Sequence, residues 1–154
     1  MFCTRKSNEK INRVHERALR ILHNDYTTEF KDLLLIAGTE TIHISNVKKV
    51  AIEMFKIKNG LSKQIISELF SEREFSGTRS GEVFQVPNHN TVFMGEMSLR
   101  VFGVKVWNEL LPLEFKSIRN LNIFKDKIKQ WVPVCNCRNC KPYIQNVGFT
   151  NCFS

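Results

Sequence analysis

Apolar residues recur at helical spacing along most of this chain, and polar breaks divide the pattern into separate elements. Ile11, Val14, Ala18, Ile21 and Leu22 form one stripe and predict a helix over about 9–23, with Asn8 as its N-cap. His15 lies along that stripe and reads as a residue at the edge of the core. Asn24 to Thr28 interrupt the pattern. A second helix is predicted over about 29–37, capped by Thr28, stopped by Gly38 and burying Phe30, Leu33, Leu34 and Ile36. The third and longest spans about 42–59, between a Thr41 cap and Gly60 at the position where helices favour glycine. Ile44, Val47, Val50, Ala51, Met54 and Ile57 line its inner face, while Lys48, Lys49 and Lys56 point outward. Ser62 caps a fourth helix over about 63–70, which buries Ile65, Ile66, Leu69 and Phe70.

Between 71 and 97 the pattern changes. Gly77, Gly81, Pro87, Asn88, Asn90 and Gly95 punctuate an irregular connection. Two short alternating pieces around 82–94 predict a β-hairpin turned by Pro87 to Asn90, which needs helices beneath it to be stable. A fifth helix is predicted over about 99–110 and ends near Pro112. Leu99, Phe102, Val106, Trp107 and Leu110 face inward, Trp107 is the anchor, and Gly103 marks close packing or a bend. The last helix runs over about 121–131 from an Asn120 cap to the Pro133 stop, burying Leu121, Phe124, Ile128 and Trp131. The expected fold class is therefore mainly α: one small domain of about six helices, the hairpin at 82–94, and an irregular cysteine-rich C-terminus. Its parts are helices over 1–70, the connection 71–97, the helices of 98–132 and a basic tail at 133–154.

Composition supports a packed unit, because 42% of the residues are hydrophobic and 12 are phenylalanine. The net charge of +8 points to polyanionic partners and says little about fold. Its placement is more informative. Lys10, Arg13, Arg17 and Arg20 form a basic ridge on the first helix, about a third of a turn from the apolar stripe. Such a ridge contacts phosphates or is simply a solvated face, partly neutralised by Glu9 with Arg13 and Glu16 with Arg20. Lys125 and Lys129 share an exposed face of the last helix, with Lys127 on the opposite flank.

Cys135, Cys137 and Cys140 crowd into one short loop. Five cysteines in all, an odd number, do not suit a secreted disulfide framework and fit reduced thiols or a metal. Closely spaced thiolates suit a tetrahedral Zn²⁺ ion, with Cys152 or a histidine as fourth ligand; free thiols on a loop are the alternative. Arg138, Lys141 and Tyr143 around the cluster suit phosphate contact and base stacking on a single strand. Met1 to Lys6 run straight into charge, and no apolar run is long enough to span a bilayer. The expected setting is intracellular, in cytoplasm or nucleus, with no membrane partner and no small-molecule substrate. The sequence holds no Walker-type phosphate loop, no dinucleotide fingerprint, no nucleophile elbow and no carboxylate pair suited to two metal ions. Catalysis by this chain in isolation is not expected.

Several stretches occur together in an order that resembles a known family. They are Ile11-Asn-Arg-Val-His-Glu-Arg-Ala-Leu-Arg-Ile21, Ala51-Ile-Glu-Met-Phe-Lys-Ile-Lys-Asn-Gly-Leu-Ser62, Val106-Trp-Asn, Leu111-Pro112, Leu121 with Phe124-Lys125, Trp131, the cysteine cluster and Tyr143-Ile-Gln-Asn-Val-Gly-Phe149. The series is similar to the C-terminal end of reverse transcriptases of non-long-terminal-repeat retrotransposons, of the jockey-like class. The resemblance covers nearly the whole chain. It implies that Ile11 to Leu22 form a helix of the polymerase thumb region, and that the remainder is the segment beyond the thumb, where such proteins often carry a cysteine-rich end thought to hold template RNA. It also implies that Met1 is an internal methionine of a longer ancestral frame whose palm carried the catalytic aspartates. The expected function is binding of RNA or single-stranded DNA by Lys10, Arg13, Arg17, Arg20, Lys125, Lys129, Arg138, Lys141 and Tyr143. Zn²⁺ at Cys135, Cys137, Cys140 and Cys152 is the candidate cofactor, against free thiols that hold none. The alternatives are a structural remnant that packs on a polymerase core, or a small independent zinc protein.

Overall fold

Three successive helices end in the same way, and those ends set their lengths. In the computed structural model, which describes residues 5–70, 84–86 and 98–133, α1 spans Arg5–His23, α2 spans Phe30–Ile36 and α3 spans Ile42–Lys58. Each is followed by a residue with positive φ: Asn24 at 50°, Gly38 at 59° and Gly60 at 66°. At each end two backbone N–H groups fold back onto the last turn. Asn24 and Asp25 donate to Ile21 and Arg20, Gly38 and Thr39 to Leu35 and Leu34, and Gly60 and Leu61 to Ile57 and Lys56. This is the Schellman arrangement, which satisfies carbonyls that a helix end otherwise leaves bare. Gly38 and Gly60 stand where the sequence places them. Asn24 does the same work with a side chain, since asparagine tolerates the left-handed region better than most residues.

The chain divides into two compact units, one of which is Val47–Pro133 while the other contains residues 5–46. In the N-terminal unit α1 packs on α2. Leu19, Leu33 and Leu34 are buried, with Phe30 and Ala37 packed around them. The inward face of α1 is Asn12, His15 and Leu19, not the predicted stripe. Val14 is 70% exposed, Ile21 64% and Leu22 76%, and Ala18 is exposed as well. The helix is turned by about 100° from the expected orientation, at 100° per residue. α2 is only two turns long and buries only Leu33 and Leu34, so it offers cover for one narrow stripe. His15 sits at the core edge as expected, its ring edge-on to Phe30 at 5.9 Å. Ile36, expected inside, is 60% exposed.

The loop before α2 is held by one carboxylate. Asp25 accepts hydrogen bonds from the backbone N–H and the hydroxyl of both Thr27 and Thr28. Thr28 therefore does not cap α2, whose N-cap is Glu29 without a side-chain hydrogen bond. Asn8 lies inside α1, which starts at Arg5. Those donors, the Thr28 hydroxyl foremost, hold the Asp25 carboxyl well below the usual carboxylate range.

The Val47–Pro133 unit is built on aromatic side chains. Here α4 is Gln64–Ser67, α5 is Leu99–Lys105 with a π-helical continuation Val106–Leu110, α6 is Leu113–Lys116 and α7 is Leu121–Gln130. Seven α-helices and no strand are present among the described residues, so the fold is mainly α. Phe55 of α3 stacks on Phe124 of α7 at 4.2 Å between ring centres. Trp107 and Phe115 close around Phe124, each at 6.4 Å. Trp107 is 1% exposed, as expected of an anchor, and Phe124, expected in the core, is fully buried. The five-residue period after Lys105 ends with Leu111 N–H donating to the Val106 carbonyl, and Pro112 then stops the chain from continuing as helix. A Cβ on Gly103 would lie 2.8 Å from the Met54 sulfur, so this glycine marks close packing of α5 on α3.

Two N-caps fall where expected. Thr41 Oγ1 accepts from Ile44 N, and the Asn120 side chain accepts from Asn122 N and Ile123 N. Ser62 does not cap α4. Its hydroxyl donates to Glu53, which also accepts from Lys56 Nζ at 2.9 Å, and Lys63 is the N-cap. Burial alone would raise the Glu53 carboxyl; the hydrogen bonds from Lys56 and Ser62 outweigh it and hold the group below its usual value. α4 is a single turn, and Ile65 and Leu69 are exposed where burial was expected. Of the predicted hairpin only Phe84–Val86 are described; Phe84 is buried edge-on to Trp107, and its carbonyl accepts from Asn108 Nδ2.

Candidate nucleic-acid interface

Three of the four cations expected on the α1 ridge are exposed along one face. Lys10, Arg13 and Arg17 are exposed and follow one another at three and four residues along one face. The row is about 10 Å long at the helical rise. No acidic side chain among the described residues pairs with these three, so the expected Glu9–Arg13 bridge does not form. The Glu16–Arg20 bridge does form. Arg20 donates twice to Glu16 Oε1, at 2.7 and 3.1 Å, and lies 3.5 Å from the Asp25 carbonyl. Arg20 thus spends its charge on the helix end, where a cation also favours the macrodipole.

Beside the cations runs the exposed apolar stripe of Val14, Ala18, Ile21 and Leu22. The wet side of α1 is therefore half basic and half apolar. The basic half can neutralise phosphates. The apolar half has the character of a surface that another macromolecule covers.

Lys125 and Lys129 belong to the Val47–Pro133 unit. Lys125 is half-buried and Lys129 exposed. Lys129 Nζ lies 3.1 Å from Asp126, and both groups are about three-quarters exposed, so the pair is screened and worth little. The Lys129 carbonyl accepts from Lys48 Nζ at 3.0 Å, which adds a cation from α3 that the sequence did not point to. Lys127 Nζ stands 5.9 Å from the Phe115 ring centre, on the other flank as expected. Together Lys127 and Lys129 complement the negative end of α7.

Arg138, Lys141, Tyr143 and the ligand set Cys135, Cys137, Cys140 and Cys152 lie outside the described residues. Among the described residues no cluster of histidine, cysteine and carboxylate could hold a metal ion. No helix of the described residues is long and apolar enough to cross a membrane. Sequence reasoning missed that Lys58 lines one surface depression with Lys116 and Arg119. The local run from Lys116 to Arg119 was its one visible trace.

Comparison with protein-family models, with curated proteins and with solved structures finds no match to this chain.

Proposed function

We propose that this chain is a nucleic-acid-binding segment that holds RNA or single-stranded DNA, with the role its likeness to the C-terminal end of a retrotransposon reverse transcriptase implies. The observation that carries this reading is the row Lys10, Arg13 and Arg17, exposed on one face of α1 with no acidic partner among the described residues. Arg20 supports the row by fixing the helix end. Lys125, Lys129, Arg138, Lys141 and Tyr143 extend the binding set. The mechanism is electrostatic: cations displace the counterions of the strand, with little preference for sequence. The reading assigns no chemical step to any residue of the chain.

The test is a salt titration of binding to a single-stranded RNA, followed by fluorescence anisotropy. Affinity should fall steeply with salt. Replacing Lys10, Arg13 and Arg17 together by glutamine should lower the logarithmic slope by about 2, at roughly 0.7 per lost phosphate contact. An affinity that does not change between low and moderate salt would sink the reading.

A second reading is favoured by one observation. The apolar stripe of α1 is uncovered, which suits a module that packs on another polypeptide such as a polymerase core.

A further inference from the structure

A strand bound to the cations of α1 would leave the apolar side of the same helix wet. Ile11, Val14, Ala18 and Ile21 follow one another at three, four and three residues, the a and d positions of two heptads. Ile11 is half-buried and the other three are exposed. α2 covers a different side of the helix, where Asn12, His15 and Leu19 turn inward. Bases stack on aromatic rings, and this seam is wholly aliphatic, so a nucleic acid has little to gain from it. Its spacing is the one that a second helix covers, by setting its own side chains between these.

The charges beside the seam select the helix. Lys10 and Arg17 stand at the two g positions, immediately beside the seam. Both are exposed, and neither has an acidic partner among the described residues. The e positions on the other flank hold His15 and Leu22. The two acids of α1, Glu9 and Glu16, both fall at f, away from the seam, and Glu16 is bound to Arg20. A second copy of α1 therefore brings no counter-charge. Packed parallel, each g cation would face His15 or Leu22; packed antiparallel, the cations would face one another.

We propose that α1 docks an acidic amphipathic helix of another protein, which lays apolar a and d side chains on Ile11, Val14, Ala18 and Ile21 and sets glutamate or aspartate opposite Lys10 and Arg17. The proposal rests on the second reading given above, that the uncovered stripe packs on another polypeptide, and names that partner's chemistry. The apolar seam supplies the affinity. The flanking ion pairs, exposed and each worth little, fix the register and reject a second copy. Lys10 and Arg17 also belong to the row assigned to phosphate, so the helix and a strand take α1 in turn.

The probe is a synthetic peptide of three heptads with leucine at a and d and glutamate at e and g, whose like charges oppose its own pairing. It is labelled and titrated with the full chain by fluorescence anisotropy. Saturable binding of one peptide per chain is expected, and a peptide of the same composition with its leucines out of heptad order should not bind. Ile21→Ser should weaken binding about tenfold, the loss of one apolar side chain from the seam. Lys10→Glu together with Arg17→Glu should weaken it by about tenfold or more, and a peptide with lysine in place of its glutamates should restore binding to that variant. Equal binding of the disordered-heptad peptide, or binding unchanged in Ile21→Ser, overturns the proposal. So does a dimer of the chain in sedimentation that Ile21→Ser abolishes, which would make a second copy the occupant. Binding of single-stranded RNA or of anionic vesicles that Ile21→Ser weakens, with the peptide left unbound, gives the seam to the strand or the lipid and overturns it too. Should the peptide fail to bind while Ile21→Ser leaves thermal stability unchanged, this proposal fails and the second reading stands. Should Ile21→Ser instead cost much stability, the stripe is covered within the chain and both fail.

Discussion

The two compact units use the same helical pattern and reach different ends with it. In Val47–Pro133 the apolar stripes meet one another, and fourteen of the described residues form one buried core around Phe55, Trp107 and Phe124. Among the described residues of the N-terminal unit, Leu19, Leu33 and Leu34 form the buried apolar cluster. Val14, Ile21, Leu22, Leu35 and Ile36 stay largely exposed there. Each fully buried aliphatic or aromatic side chain contributes about 1.5–3 kcal/mol. Among the described residues, apolar burial is therefore much larger in one unit than in the other. The ends of the N-terminal helices add smaller terms to that cluster: the left-handed turns at Asn24 and Gly38, the Asp25 clamp on Thr27 and Thr28, and the Glu16–Arg20 bridge. Amphipathicity states what a helix is able to bury, and the neighbouring surface decides what it does bury.

The largest expected effect lies in the aromatic core. Phe124 is fully buried and touches Phe55, Trp107 and Phe115. Phe124→Ala should destabilise the Val47–Pro133 unit by about 3–5 kcal/mol, because it opens a cavity that three rings cannot collapse into. Chemical denaturation followed by Trp107 fluorescence reads this directly. A loss near 1 kcal/mol would mean that the core is not organised on this ring, and the contrast between the units would weaken.

The same contrast explains which parts of the fold the sequence disclosed. The stops Gly38, Gly60 and Pro112 and the caps Thr41 and Asn120 were legible, whereas the expected caps Asn8, Thr28 and Ser62 were not formed. So were the anchor Trp107 and the core residue Phe124, whose size favours burial. The side of α1 that turns inward was not legible. Its best apolar stripe differs from the stripe α2 can cover, and only the packed pair shows this. The π-helical widening at Val106–Leu110 was hidden too, since α5 is apolar nearly all round and several registers satisfy the pattern. On the candidate interface, the row Lys10, Arg13 and Arg17 follows from helical spacing. The Arg20 bridge follows from the i,i+4 rule. Lys58 shares no period with Lys116 and Arg119, so their common depression is visible only in the fold.

A smaller effect separates the units by pH. The Asp25 carboxyl is held below its ordinary value of 3.8 by the Thr28 and Thr27 donors. A carboxylate with a depressed folded-state pKa contributes stability that is present above the unfolded value and lost as pH falls through the folded one. The clamp is therefore intact at neutral pH, and its contribution declines only as the pH drops below about 3.8. The Thr28 amide resonance, followed by NMR in acid, should titrate well below an ordinary aspartate. Asp25→Asn should remove that step and loosen the start of α2, while amides around Phe124 keep their protection. A midpoint at the ordinary value would show that the clamp is not formed.

The smallest effect is the most telling about α1. Ile21 and Leu22 are exposed and bury little against their own chain. Ile21→Ser and Leu22→Ser should each change stability by no more than about 0.5 kcal/mol, the range of ordinary surface substitutions. Two buried leucines would instead lose several kcal/mol under the same change. Both variants leave Lys10, Arg13 and Arg17 untouched, so the salt dependence of RNA binding should also stay as it is. A large loss of stability would mean that the stripe is covered within the chain. A drop in affinity for a polypeptide partner at unchanged stability would instead make this stripe the docking face of α1.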